Sequence, residues 1–311
     1  MAMPKMLLML SENWTLTSGR DLTTLVRWAR EAEDAGFDGV MIGEHVVMGP
    51  DAGANGRMAN PRESALPGNQ DPATPWPSSL MLLSAIAAVT HRVRLVAGAV
   101  IVPLRHPLLL AKELATLDLL SEGRLVVLPT VSWSRDEYDA LGVPFERRGA
   151  LLDENLAAWR ALWRGSPCDF SGEHYAFRDV YLDPKPFRPD GPRLWFGGAS
   201  LHRRVRSRIV QYGSGIHPLT LPDFASLRSL STDMRDAGRD FSELELVGGA
   251  PATFHDGSSV ADLDEALATL PFQYNYGFRT FCIKPSQFID DPKDVGLFCQ
   301  RVMRKVSTLV S

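Results

Sequence analysis

The chain has 311 residues, 45% of them hydrophobic and 23% charged, with a formal net charge of -4 at pH 7. That is enough apolar material for one large domain or two small ones, and a mildly acidic chain without a basic tract argues against general nucleic-acid binding. No apolar run nears the roughly 20 residues of a membrane helix, no signal-peptide pattern opens the chain, and the widely spaced Cys168, Cys282 and Cys299 fit a reduced, cytoplasmic setting without metal-ligand spacing.

In chain order, a strand is expected at residues 5–10 and then a helix from Arg20, where Leu22, Leu25, Val26, Ala29 and Ala32 recur at the spacing of one buried face. Gly36 ends it, because glycine adopts the left-handed cap that releases a chain from a helix. Val40, Met41 and Ile42 then form a short continuous apolar run, as in a strand buried on both faces. Glu44 and His45 follow at once, so an acid and an imidazole stand at the C-terminal end of that strand. Residues 46–78 are rich in Gly, Pro, Asn and Asp and read as a lid or binding loop.

Further strands are predicted at residues 93–102, 124–128, 193–196, near 213–216, 243–248 and 279–283. Helical faces alternate with them: Leu110, Leu114 and Leu117 form one, and Leu152, Leu156, Trp159 and Trp163 another. Eight such units predict an α/β chain closed into a (β/α)8 TIM barrel, one domain over 1–311, with an open doubly wound sheet as the competing arrangement. Residues 168–192 carry short alternating pieces among prolines and read as a hairpin excursion. Both excursions are expected near strand ends or their connections, where each can shape a substrate pocket.

Several residues carry candidate chemistry. His45 suits proton transfer because an imidazole ordinarily titrates near neutrality, while the plainer reading has it cap the strand or bond the long loop. Glu44 is either its acidic companion or half of a structural salt bridge. Gly197, Gly198, Ala199 and Ser200 lead into a helical stretch near Leu201, a pattern shared by anion sites and ordinary strand-to-helix turns. Arg203 and Arg204 add charge there or form a solvated face. Trp14, Met48 and Trp76 can wall an apolar pocket or simply pack core and lid.

Other chemistries find less support. His91, His106, His174, His202 and His255 show neither HxH nor HExxH spacing, so no metal is expected. Lys284 follows the last strand and is read as solvated, with a Schiff base as the rival reading. Arg105 and His106 precede Pro107 and suit packing or capping, although Arg105 lies close enough to the third strand to touch a ligand. Ser214 sits in a turn signal, not a GxSxG elbow.

The chain also resembles the bacterial-luciferase-like flavin and deazaflavin oxidoreductases. The resemblance runs through AEDAGFDGVMIGEH at residues 32–45, VRLVAGAVIVPLRHPLLLAKELATLDLLSEGR at 93–124, DEYDALGVPFERRGALLDE at 136–154, DPKP at 183–186 and WFGGAS at 195–200. The wording is closest to the deazaflavin branch.

What the resemblance implies is a barrel holding FMN or coenzyme F420 across its strand ends, for hydride transfer or monooxygenation of a small organic substrate. It puts His45 beside the reacting centre with Glu44, and Gly98, Ala99 and Val100 behind the ring, with a cis peptide between Ala99 and Val100. It assigns the cofactor's phosphate to Gly197, Gly198, Ala199 and Ser200. A flavin reductase or an F420-reducing enzyme as electron source, and a homodimer, follow from the same likeness. One departure stands out: LPTVSW at 128–133 replaces a glycine-rich run, leaving Thr130 and Ser132 as hydroxyl donors beside the bulkier Val131. A second is Ile216 in GSGIHP, where relatives often carry an aromatic; His217 keeps a polar group there, structural or functional. The rival reading is a member of this fold that holds a flavin or apolar ligand without turnover.

Overall fold

In the computed structural model, which describes residues 3–218, 223–257 and 259–309, eight parallel strands close into a barrel. In ring order they are β1 (Lys5–Met9), β2 (Gly39–Ile42), β3 (Arg94–Ile101), β4 (Leu125–Thr130), β7 (Arg193–Phe196), β8 (Gly215–Ile216), β9 (Glu245–Gly249) and β10 (Thr280–Ile283). β10 returns to β1 through the register Leu7 with Cys282, which closes the ring and excludes the open sheet. Each predicted strand is present within two residues of its expected bounds.

Local chemistry explains the connections. α1 (Leu22–Ala35) begins where Asp21 accepts the Thr24 amide at 3.2 Å and ends at Gly36, whose φ of 94° is left-handed. α3 (Pro107–Leu120) starts with Pro107 at its first position behind His106, whose Nδ1 accepts the Leu108 amide. The predicted apolar faces of α3 and of α5 (Arg148–Arg164) are buried against the strands.

Two apolar layers result, one between strands and helices and one inside the ring. The inner one joins Leu7, Met41, Val96, Val126, Leu128, Trp195, Val247 and Cys282, with Met9 and Ala99 at its margin. The barrel is therefore a filled cylinder, and its C-terminal mouth is the end where barrels of this architecture hold their ligands. At the opposite end Arg94 spans both oxygens of Glu245 at 2.7 and 2.8 Å.

The hairpin β5 (Cys168–Ser171) and β6 (Ala176–Val180) leaves from the C-terminus of α5 and rejoins at the start of β7, the end of the barrel away from the mouth. Its turn climbs along α5 to Glu154, which accepts the amides of Glu173, His174 and Tyr175. The hairpin is thus rooted away from the mouth, and its turn reaches back to His106 after β3, which Tyr175 meets edge to face. Strand direction decides where it is rooted, because a helix that runs antiparallel to the strands delivers the chain back to their N-terminal ends.

The loop 46–78 is tied down at both sides of the ring. Near β4, Asp51 exchanges hydrogen bonds with Ser134 and Asp136. Beyond β10, Lys284 donates to the Glu63 carbonyl at 2.7 Å and Arg62 pairs with Asp290. Lys284 is 1% exposed, which overturns the solvated reading; burial pushes its ammonium below the ordinary lysine range.

Glu33 of α1 provides a test of the scaffold. Its carboxylate accepts the amides of His91, Arg92 and Val93, and the turn that feeds β3 hangs on it. Burial raises its pKa, but the three amides together outweigh burial and hold it below the usual carboxylate range. A depressed carboxylate stabilises the fold above its unfolded pKa, and that contribution is lost as pH falls through the folded value. Glu33→Ala is expected to cost about 3 kcal/mol in urea unfolding at pH 7, by orphaning the buried Val93 amide and two part-buried ones, and less near pH 3.

Candidate active site

The end of β2 delivers Glu44 and His45 to the mouth, but in different environments. Glu44 is buried. Its Oε1 accepts the Ile101 amide at 2.9 Å and Arg105 Nη1 at 2.8 Å, while Oε2 accepts Ser79 Oγ at 2.9 Å and Arg105 Nη2 at 3.1 Å. Both oxygens are thus spoken for. Of the two sequence readings of Glu44, the geometry matches the salt bridge, which ties the end of β3 to the start of α2 (Ser79–Ala87).

His45 is held differently. Its Nδ1 lies 3.0 Å from Oε2 of Glu137, whose side chain is fully buried at the start of α4 (Arg135–Ala140). The same carboxylate accepts the Val46 amide at 2.7 Å and Ser132 Oγ at 3.0 Å. Trp76 and Trp133 meet the imidazole edge to face, with centroids 5.0 and 5.6 Å away. No hydrogen bond to Nε2, on the far edge of the ring, is found among the described residues.

Across the ring, four strands away from β2, His217 follows β8. Its Nε2 lies 3.2 Å from Cys282 Sγ. Burial pushes the His217 imidazole down and the Cys282 thiol up to about 12, so the pair is neutral imidazole and thiol at neutral pH.

The floor of the mouth is made largely of glycine and alanine, with Met9 and His217 among them. Met9, Gly43, Ala99, Gly197, Gly198, His217 and Gly248 all keep partial exposure above the filled interior. A Cβ at Gly43 would stand 3.2 Å from the Gly98 carbonyl and 3.5 Å from Trp76, and one at Gly197 would meet the His217 carbonyl at 1.7 Å. At both glycines the backbone of the neighbouring strand leaves little or no room for a side chain. Gly197→Ala is accordingly expected to lower expression of folded protein sharply, read by size-exclusion chromatography, since backbone must move to admit the methyl.

The cis peptide lies between Gly98 and Ala99, one bond earlier than expected. The strand pairing slips between Gly98 and Val100 at the same place. Gly98 permits this because a Cβ there would meet Met41 Cε at 2.5 Å. The slip turns Ala99 to the inner layer and leaves Val100 in the outer one, so the Val100 side chain faces away from the mouth.

Other sequence candidates separate likewise. Ser132 sits in left-handed backbone, φ 58°, with its hydroxyl on Glu137; Thr130 is part-buried at the end of β4. Ala199 and Ser200 are exposed beyond Gly198, and α6 (Arg203–Tyr212) begins two residues later than expected, because Leu201 is drawn into the core. Trp76 joins His45. Trp14 instead packs against the outer apolar layer, and Met48 is a part-exposed residue of the loop. Arg105, a secondary candidate, proves to be the partner of Glu44. Glu137 and Trp133 escaped sequence reasoning: a carboxylate in DEYDALG looks like an ordinary first-turn acid, and nothing local marks it as buried.

The luciferase-like monooxygenase family matches residues 3–288 of the chain. An uncharacterised protein of Mycobacterium tuberculosis is 39% identical over 183 residues, 57% of this chain and 61% of the relative, so the match spans less than two thirds of that protein. The FMNH2-dependent dimethylsulfone monooxygenase of Pseudomonas putida is 31% identical over 138 residues, covering 43% of this chain and 38% of that enzyme. Among solved structures, the coenzyme F420-dependent tetrahydromethanopterin reductase of Methanopyrus kandleri superposes with a TM-score of 0.69 over 98% of this chain and 100% of its own, at 13% identity, which bears on the fold alone.

Proposed function

The chain belongs to the luciferase-like monooxygenase family, and from that premise we propose that it is an oxidoreductase using a reduced flavin-type ring, coenzyme F420 or FMN, on a small organic substrate. The observation that carries this reading is His45: an imidazole at the mouth, oriented through Nδ1 by a buried carboxylate, with Nε2 left for a ligand. Relatives and neighbours of both cofactor types support the pair of alternatives.

The residues present fit a flat ring. Gly43 and Ala99 form a floor without long projecting side chains, and Gly197 and Gly198 a shelf beside it. Glu44 and Arg105 neutralise each other beneath, so no bare charge faces the ring. Gly198, Ala199 and Ser200 are the proposed phosphate contacts, on the approach to the N-terminus of α6, with Thr130 facing them from β4. When bound, the ring supplies hydride or activates oxygen. His45 holds or delivers the proton, and Trp76 and Trp133 keep water from its flanks.

The loop 46–78 is proposed as the lid of the substrate pocket, and a cytoplasmic reductase of the matching cofactor as the electron source. No helix among the described residues is long and apolar enough to cross a membrane. Fluorescence titration of the purified protein with FMN and with coenzyme F420 tests the reading. Saturable binding of one of them is expected; binding of neither at millimolar concentration would remove it.

A further inference from the structure

We infer that Glu137 is a positioning residue that locks His45 in the Nδ1–H tautomer, and that Ser132 completes that lock. This deepens the proposed function, on which its catalytic consequence rests, but the tautomer itself is a property of the protein alone.

The argument begins with counting donors. A carboxylate can only accept hydrogen bonds. Glu137 Oε1 is taken by the Val46 amide at 2.7 Å, whose hydrogen cannot move. Oε2 lies 3.0 Å from both Ser132 Oγ and His45 Nδ1. For the His45 contact to be a hydrogen bond, Nδ1 must carry a proton, and in the neutral imidazole Nε2 then presents its lone pair on the opposite edge. Burial adds weight, because Glu137 has no exposed side-chain surface and water cannot substitute for a missing donor.

Ser132 explains its own odd backbone. A non-glycine residue at φ 58° is uncommon, and here that conformation accompanies a hydroxyl placed on Glu137 only five residues ahead. Glycine would adopt the same backbone more easily but would leave Oε2 with His45 as its sole partner. The second clasp, Ser134 and Asp136 against Asp51, holds the start of the long loop to the same corner. His45, the start of the long loop and the corner after β4 are therefore joined through one carboxylate.

Glu137→Gln reverses the pattern. The amide oxygen stays with the Val46 amide, and the amide NH2 then faces Nδ1, which must accept, so the proton moves to Nε2. Nitrogen-15 NMR of imidazole-labelled, cofactor-free protein reads this directly, with His45 assigned by His45→Gln. The expected result is Nδ1–H in the native protein and Nε2–H in Glu137→Gln, with Nδ1–H retained in Ser132→Gly but in faster exchange with solvent. A native protein in the Nε2–H form, or a Glu137→Gln protein that keeps Nδ1–H, overturns the inference.

In turnover with the cofactor that binds, Glu137→Gln is expected to lower kcat about 100-fold or more while KM and cofactor affinity stay within threefold, as for a base held in the wrong tautomer. Should Glu137→Gln not fold, the native spectrum and Ser132→Gly still decide the tautomer. Failure of both cofactors to bind would sink the proposed function and leave the NMR result standing; a tautomer that ignores Glu137 would do the reverse.

Discussion

His45→Ala is expected to reduce kcat by about 100- to 10,000-fold, the usual contribution of a positioned general acid or base. Cofactor affinity should change by less than threefold, because the floor proposed for the ring, at Gly43, Ala99 and Gly197, does not depend on the imidazole. The substitution also strips Glu137 of one donor and removes the edge contacts to Trp76 and Trp133. Some loss of stability follows, about 1 to 2 kcal/mol, so the kinetic comparison belongs well below the unfolding temperature. Steady-state kinetics alongside a fluorescence titration separates the two effects. Turnover within fivefold of the native rate would take His45 out of the chemistry.

Glu44→Ala should be among the most damaging single changes outside the glycines. It deletes four accepted hydrogen bonds and leaves Arg105 in a largely buried place without its counter-charge. The expected cost is about 3 kcal/mol or more, read from urea unfolding. A double variant tells structure from catalysis. Glu44→Gln with Arg105→Met removes both charges while keeping most of the volume, and replacing a buried pair in this way is often close to neutral. If Glu44 serves only to tie β3 to α2, the double variant recovers most of the stability and keeps turnover within tenfold. If Glu44 handles a proton, stability returns but turnover does not.

These predictions rest on features of unequal visibility in the sequence. The barrel was legible because its signals are local. The Gly36 cap, the proline at the start of α3 and the short apolar runs of β2 and β10 depend on neighbours a few residues away. His45 was legible for the same reason, since a residue that directly follows a buried strand of a parallel barrel must emerge at its C-terminal end. The ambiguity of Glu44 was equally genuine. Nothing near residue 44 reveals that Arg105, 61 positions onward, will bracket it.

The cis bond shows where resemblance reaches its resolution. Likeness of sequence located the irregularity in β3, but the bond lies one residue earlier, after Gly98, where Met41 leaves no room for a side chain. The hairpin teaches the related point that a connection's length says little about which end of a barrel it decorates.

By itself, then, the order of residues determined the alternating elements, the eightfold closure it implies and the strand end that carries the imidazole, because hydrophobic period and turn chemistry act over a few residues. Only the tertiary structure decided which carboxylate orients His45. Glu137 is 92 positions away, and its approach depends on the ring bringing β4 to within two strands of β2. Burial completed the assignment, since excluding water makes the contact between a carboxylate and an imidazole a constraint on where the proton sits.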